Sequence, residues 1–321
     1  MIKYHQKGSV LFITFSVEEG LLFQANPLCT AIIQSCLVAA SKLYPIKISH
    51  MTAEATHFHS MITVLDPDHV QAFIRHFKTE SAHAINAILG RKKRTVWCDG
   101  YDSPRVLTLS KAIALISYTY CNPAKDNLVS SIEEYPGFST WQMFRSGETT
   151  KRWKRFRRPQ FRCLEPERHN LRGYTKEAQR LLDGSSEVET FTLQPNAWME
   201  AFGITAPEQQ KRINDRIVER VRTLEKRAAE KRIREKKTVI GRQRLEHQKI
   251  DTSYRPDRKG RKTCCLSDNR SKRIQYIKKL KGLRKQGQAI RAKWIMGDRT
   301  AVYPPGLYPP SFPKLANIVG C

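Results

Sequence analysis

Between Val10 and Val17 the chain reads VLFITFSV, a short run of branched and aromatic residues that predicts a strand. From Pro27 to Lys42 the apolar positions Leu28, Ile32, Ile33, Cys36, Leu37 and Ala40 fall at helical spacing and predict an amphipathic helix. Two further strands are predicted over Pro45–Glu54 and Thr56–Leu65. Asp66 and Pro67 then open a helix, as N-cap and first helical residue, with a stripe at Val70, Phe73, Ile74, Phe77, Ala84, Ile85 and Ile88. Arg91, Lys92, Lys93 and Arg94 make a basic turn, Thr95–Cys98 a short strand, and Ser103-Pro104 starts a helix running through Leu115, Ile116 and Tyr118 toward Pro123.

The order strand, helix, strand, strand, helix, strand, helix predicts an α+β fold. It is the split βαβ order of ferredoxin-like folds, an antiparallel sheet with helices on one face and the other face open. Past residue 140 the pattern changes. Lys151–Arg158 (KRWKRFRR) interleaves Trp153 and Phe156 with basic residues. Thr205-Ala-Pro-Glu208 predicts a capping box for a long, mostly charged helix to about Lys237, with a thin stripe at Ile213, Ile217, Val221 and Leu224. Thr238–Lys262 is polar, Ser271–Met296 is a second basic helix broken near Gly287, and Pro304, Pro305, Pro309, Pro310 and Pro313 make a stiff irregular tail.

Charge sharpens that division. Of 57 Lys and Arg and 30 Asp and Glu, residues 1–150 hold 14 and 12, a net of +2; the remainder holds 43 and 18, a net of +25. The expected organisation is a compact domain over 1–140 and a basic, largely helical and partly flexible extension over 141–321 that binds a polyanion. Nucleic acid ranks above a membrane surface, because the basic stretches also carry Gln and aromatic residues and no lipidation motif. No apolar run is long enough to span a membrane, and the N-terminus lacks a signal-peptide pattern. The eight cysteines (29, 36, 98, 121, 163, 264, 265 and 321) form no CxxC pair, which argues against a zinc ribbon or a disulfide framework and for a reducing cytoplasm.

The chemistry concentrates in His57-Phe58-His59 and Tyr118-Thr-Tyr-Cys-Asn122-Pro123. On a strand His57 and His59 project one way and Phe58 the other; on a helix Tyr118 and Asn122 stand one turn apart on one face. Brought together, two imidazoles, a carboxamide and a phenol are a divalent-metal site with a nucleophile beside it. Taken singly, each has an ordinary explanation: an exposed polar strand face, a capped core tyrosine, a helix terminator before proline. Of the other histidines only His50 lies near enough in the expected sheet to be of interest. In the basic regions, Arg91, Lys92, Lys93, Arg94, Trp153, Phe156, Arg157 and Arg158 are candidates for nucleic-acid contact, through phosphate pairing and base stacking.

Over roughly residues 8–140 the chain resembles the HUH single-strand nucleases of the small tyrosine transposases, in particular the REP-associated tyrosine transposases. The likeness is carried by HFH at His57–His59, AHAIN at Ala82–Asn86, TVW at Thr95–Trp97, YTYCNP at Tyr118–Pro123 and EYP at Glu134–Pro136. It implies His57, His59 and Asn122 as ligands of Mg²⁺ or Mn²⁺ and Tyr118 as nucleophile, with Tyr120 standing where the family often has His. The sequence departs from the family at Glu54-Ala55-Thr56, where Met-Pro-Asn is usual, and at Ala124-Lys125-Asp126-Asn127, where Val-Arg-Ala-Gly is common. The expected activity is a metal-dependent single-stranded DNA endonuclease and strand-transferase, working through a 5′-phosphotyrosyl intermediate on a DNA hairpin with a flanking single strand. The alternative is a non-catalytic basic nucleic-acid-binding protein on a degenerate nuclease scaffold. The sequence does not choose between monomer and homodimer.

Overall fold

A computed structural model of the chain describes residues 3–18, 25, 27–54, 56–89, 91, 94–158, 180, 183–184, 187–248 and 263–313. Lys92, Lys93, Cys163 and Cys321 lie outside these residues, as does most of the polar segment predicted before Lys262.

The first elements are β1 (Val10–Ser16), α1 (Pro27–Leu43), β2 (Lys47–Ala53), β3 (His57–Thr63) and α2 (Pro67–Ile88), in the predicted order. Asp66 accepts a hydrogen bond from the Asp68 N–H and Pro67 occupies the first turn of α2. β4 (Arg105–Val106) and α3 (Leu109–Lys125) follow. The sheet order is β2-β3-β1-β4-β7, where β7 is Cys265–Leu266. β3 lies antiparallel between β1 and β2, β4 is antiparallel to β1, and β7 adds a parallel edge to β4. The result is a mixed α+β fold with an antiparallel-rich sheet.

Alternation along the strands sorts the side chains into two cores. Leu11, Ile13, Phe15, Phe58 and Ile62 pack against α1 and α2, with Phe15 and Phe58 stacked at 4.8 Å. Val10, Phe12 and Met61 face the opposite way, onto Ala112, Ile113, Ile116 and Tyr120 of α3. The second face is therefore not open as predicted: α3 lies across it. A bulge in β2 between Ile48 and His50 shifts the alternation there. Ile48, Met51 and Ala53 thus share the first core, while His50 meets Tyr120 of α3.

Several sequence expectations change at this level. No helix starts at Ser103-Pro104. Residues 102–106 run along β1, with Asp102 and Thr14 exchanging N–H···O bonds and Phe12 N–H donating to the Pro104 carbonyl. The partners that make this a strand, β1 and β7, are about 90 and 160 residues away in sequence and leave no local signal. Thr95–Cys98 is not a full strand; Trp97 forms an isolated bridge to Val17. The compositional break at 140 has no counterpart in the packing. After a short helix α4 (Trp141–Ser146), the strands β5 (Thr150–Lys154) and β6 (Val188–Thr192) pair and send Trp153, Phe156 and Phe191 into the first core.

The long charged helix α5 (Pro207–Arg234) lays its thin stripe, Ile217 and Val221, on the second core beside α3. Its N-cap is Ala206, with no side-chain cap, so the predicted Thr205 box does not form. Arg232 of α5 is buried and donates from Nη1 to the Ala124 carbonyl at 2.7 Å, a shorter bond than the one this carbonyl at the end of α3 accepts from the Asn127 N–H at 3.3 Å. A short helix α6 (Arg242–Glu246) buries Leu245 in the same core. The last helix, α7 (Arg270–Ile295), is continuous through Gly287, because the Tyr303 ring fills the space where a side chain would go, 2.6 Å from a Cβ placed there.

Removing the α5–α3 clamp tests its role. Arg232→Met keeps the aliphatic stem and removes the charged donor to the Ala124 carbonyl, which keeps a longer bond from the Asn127 N–H at 3.3 Å, at a cost of about 1.5–3 kcal/mol. The expected result is a lower urea midpoint at unchanged slope.

Candidate functional site

β3 is an interior strand, so its histidines are held by neighbours on both sides. Thr14 of β1 and Thr52 of β2 stand opposite His59. His59 Nδ1 is hydrogen-bonded to Thr14 Oγ1 at 3.1 Å, and its ring stacks on Phe12 at 5.3 Å. Nε2 is buried without a partner, and in the tautomer whose Nδ1–H donates to the threonine it keeps its lone pair. Burial first, then the charges of His57 and Lys125, hold His59 well below the ordinary histidine range, so the imidazole is neutral. His57 lies edge-on to it, ring centres 4.4 Å apart. Its Nδ1 bonds Thr56 Oγ1 at 2.7 Å and its Nε2 sits 3.4 Å from Glu54 Oε2. Burial lowers the His57 pKa as well, against the pull of Asp126.

α3 crosses above this pair. The Tyr118 ring lies 5.8 Å from the His59 ring, and Tyr118 is 36% exposed, an unusual degree for a large aromatic on a packed helix. Lys125, two turns further on, donates from Nζ to the Tyr118 hydroxyl at 3.2 Å and covers the ring at 4.8 Å. Burial alone would lower the Lys125 pKa, but Tyr118, Asp126 and Glu54 outweigh it and hold the ammonium above its ordinary value. Asn122 is one turn from Tyr118 and only 1% exposed, and both polar atoms of its carboxamide lack a partner. It does not end the helix, which continues through Pro123 to Lys125.

Tyr120, two residues from Tyr118, has the opposite environment. It is fully buried, bonded to His50 Nδ1 at 2.8 Å and to Thr140 Oγ1 at 3.0 Å, and burial pushes its hydroxyl pKa up. No substrate reaches it in this packing.

Two residues that sequence reasoning did not single out join the site. Glu54 is 5% exposed, and burial first, then Asp126, holds its carboxyl well above the usual range. Its Oε1 has no partner. The signals available were the Glu54-x-x-His57 spacing and the Tyr118-to-Lys125 spacing of seven, which puts both side chains on one helix face. Among the described residues no three His, Cys, Asp or Glu side chains are grouped to hold a metal. A cation here would rest on two imidazoles and the Asn122 amide oxygen. His59 Nε2, the Asn122 carboxamide and Glu54 Oε1 fit one, being buried and unpaired, where an unsatisfied buried polar group costs about 1–3 kcal/mol; His57 Nε2 faces Glu54 Oε2 and would exchange that contact for the cation.

The predicted nucleic-acid contacts divide. Trp153 and Phe156 are buried, Trp153 stacked on Phe191 at 4.2 Å, so neither offers a face to an unpaired base; this corrects the expectation. Arg157 pairs with Glu187 through Nε and Nη2, both at 2.9 Å, and Arg158 pairs with Glu80. Arg91 is half-buried and Arg94 exposed; with Lys78, His83, Asn86 and Arg158 they line an open concavity of about 540 Å³. No helix of the described residues is long and apolar enough to cross a membrane.

No family model and no curated protein matches the chain. Among solved structures, a REP-associated tyrosine transposase bound to a REP hairpin is similar, with 19% sequence identity, a TM-score of 0.38, and coverage of 45% of this chain and 83% of that one. A likeness of this size assigns nothing by itself, so the geometry carries the functional argument.

The buried histidine beneath Tyr120 makes stability pH-dependent. Burial lowers the His50 pKa from 6.5 to about 3, so the unfolded chain binds its proton first as pH falls. The His50 contribution is whole above pH 6.5 and is lost as pH drops toward 3. Between pH 7 and 5 the His50 loss is on the order of 2 kcal/mol, read as a falling urea midpoint whose slope with pH His50→Gln reduces, the rest being carried by His5, His57 and His59, which burial also holds below the ordinary range.

Proposed function

We propose that this chain is a metal-dependent single-stranded DNA endonuclease and strand-transferase with Tyr118 as nucleophile. One observation carries the reading: the phenol that is accessible is also the one held against His59 and hydrogen-bonded by a lysine. Magnesium or manganese is the proposed cation, with His57, His59 and Asn122 as its ligands. Imidazole is not a favoured ligand for either, so the affinity is modest. When bound, the cation polarises a non-bridging phosphoryl oxygen and offsets charge at the phosphorus.

The chain's own residues supply the rest. Tyr118 Oη attacks the phosphorus, the bond from phosphorus to O3′ breaks, and the phenolic proton leaves as the departing strand gains a 3′ hydroxyl. The downstream strand stays joined to Tyr118 through its 5′ phosphate. The Lys125 ammonium offsets negative charge on the phenolic oxygen as its proton departs. Phosphodiester is exchanged for phosphodiester, so the released hydroxyl reverses the step and strands are rejoined as well as cut. The sequence resemblance to the REP-associated tyrosine transposases suggests a DNA hairpin with a short flanking strand as target.

The test is a covalent adduct on a labelled single strand in the presence of Mn²⁺. The wild-type chain and Tyr120→Phe form it, and Tyr118→Phe and metal-free wild-type do not. Lys125→Met slows it by about a hundredfold, the scale of losing one charge-stabilising donor. An adduct that survives Tyr118→Phe moves the nucleophile elsewhere. Tight DNA binding with no adduct under any metal leaves the non-catalytic binder.

A further inference from the structure

The two long helices of the C-terminal half carry the same number of cations and differ in everything else. α5 has ten Lys and Arg interleaved with five Asp and Glu, and lies in the core beside α3. α7 has ten Lys and Arg and no acidic residue. Its inner face is anchored. Tyr276 and Leu280 are buried against Tyr4, Cys265 and Leu307, and Trp294 donates from Nε1 to the Ala301 carbonyl at 2.8 Å. The segment after it folds back onto the N-terminus, where His5 N–H donates to the Gly306 carbonyl at 2.8 Å. Gly306 has φ +82°, and a Cβ there would lie 2.2 Å from the His5 carbonyl oxygen, so only glycine allows this approach.

The outer face of α7 is different. Lys278, Lys281 and Lys285 are exposed and stand at i, i+3 and i+7, one stripe turned away from Tyr276, Leu280 and Trp294. Arg270, Lys272, Arg273, Lys279, Arg291 and Lys293 are exposed along its flanks. At 1.5 Å per residue the helix is about 39 Å long. Over that length a DNA duplex presents roughly twenty phosphates. Asp268, just before α7, accepts hydrogen bonds from the hydroxyls of Thr108, at 2.6 Å, and Ser110, at the start of α3. The cationic helix is thereby tied to the helix that carries Tyr118.

We infer that the outer face of α7 is a docking surface for the phosphate backbone of double-stranded DNA, next to the single strand on which Tyr118 acts. The inference rests on the proposed DNA-cleaving function and adds the element that holds the duplex. Charge complementarity selects the occupant: nine exposed cations without one carboxylate on the helix match a uniform polyanion. A lipid surface would also require apolar residues along the stripe, and the exposed ones, Ile274 and Met296, lie toward the two ends of the helix. The face is held in place before binding, so little ordering entropy is lost on contact.

The test uses the full chain with Lys278, Lys281 and Lys285 each changed to Gln. Binding of a labelled DNA hairpin with a short flank is followed from about 50 to 200 mM salt, where each phosphate contact contributes roughly 0.9 to the log–log slope. The expected result is an affinity lower by about tenfold or more and a slope shallower by about two to three, with the Lys→Arg triple variant restoring both. Adduct formation on a short unpaired strand at saturation stays unchanged. Unaltered affinity and slope overturn the inference, as does a variant that loses binding to anionic phosphatidylserine vesicles while keeping the hairpin. Weakened hairpin binding in a chain that forms no adduct leaves the α7 surface standing and removes only the catalytic reading.

Discussion

The position of α3 is the constraint on which the site depends. An interior strand can offer its alternate side chains to only two layers, and the first layer is filled by α1 and α2 around Phe15 and Phe58. His57 and His59 must therefore face the second, and what covers that face decides what they meet. α3 covers it with Ile113, Ile116 and Tyr120. That seating turns Tyr118 toward the rim beside His59 and leaves Asn122 inside. α5 presses on α3 from outside, and its Arg232 secures the last turn, where Lys125 reaches back to Tyr118. A helix that is mostly charged thus serves first as a brace.

Two tyrosines one residue apart along YTY show how finely this seating sorts chemistry. Successive helical positions differ by about 100° in direction, so positions two apart face nearly opposite ways. Tyr120 is locked between His50 and Thr140, while Tyr118 keeps an accessible hydroxyl with a cation on it. The bulge in β2 contributes to the same result, because without it His50 would turn toward the other core and the Tyr120 hydroxyl would lose its partner. Around Tyr118 the polar atoms left unpaired, on His59, Asn122 and Glu54, are spread over β3, α3 and the approach to β3.

Much of the framework was legible in local pattern. The stripes of α1 and α2, the Asp66-Pro67 start, and the alternation that separates Phe58 from its flanking histidines are properties of short segments. What was hidden depends on contacts distant in sequence. Arg105 and Val106 are a strand because β1 and β7 pair with them from either side, and helical propensity after Ser103-Pro104 pointed elsewhere. KRWKRFRR resembles a stacking platform in one dimension. In β5, alternation sends Trp153 inward and Arg152 and Lys154 outward, and Lys151, two residues before Trp153 near the start of the strand, is exposed. Net charge located a basic half without showing that α5 intersperses five carboxylates among its cations while α7 has none. Within the site, the imidazoles, phenol and amide were visible as a motif. Glu54 and Lys125 were visible only as departures from a family pattern.

The central claim is that the accessible phenol on α3 is the one that reacts, and the site of attachment tests it most directly. Peptide fragmentation of the covalent DNA adduct distinguishes Tyr118 from Tyr120 within the single stretch between Lys111 and Lys125. The account predicts the nucleotide mass on Tyr118 alone. A nucleotide carried by Tyr120, or by a tyrosine outside α3, would contradict it.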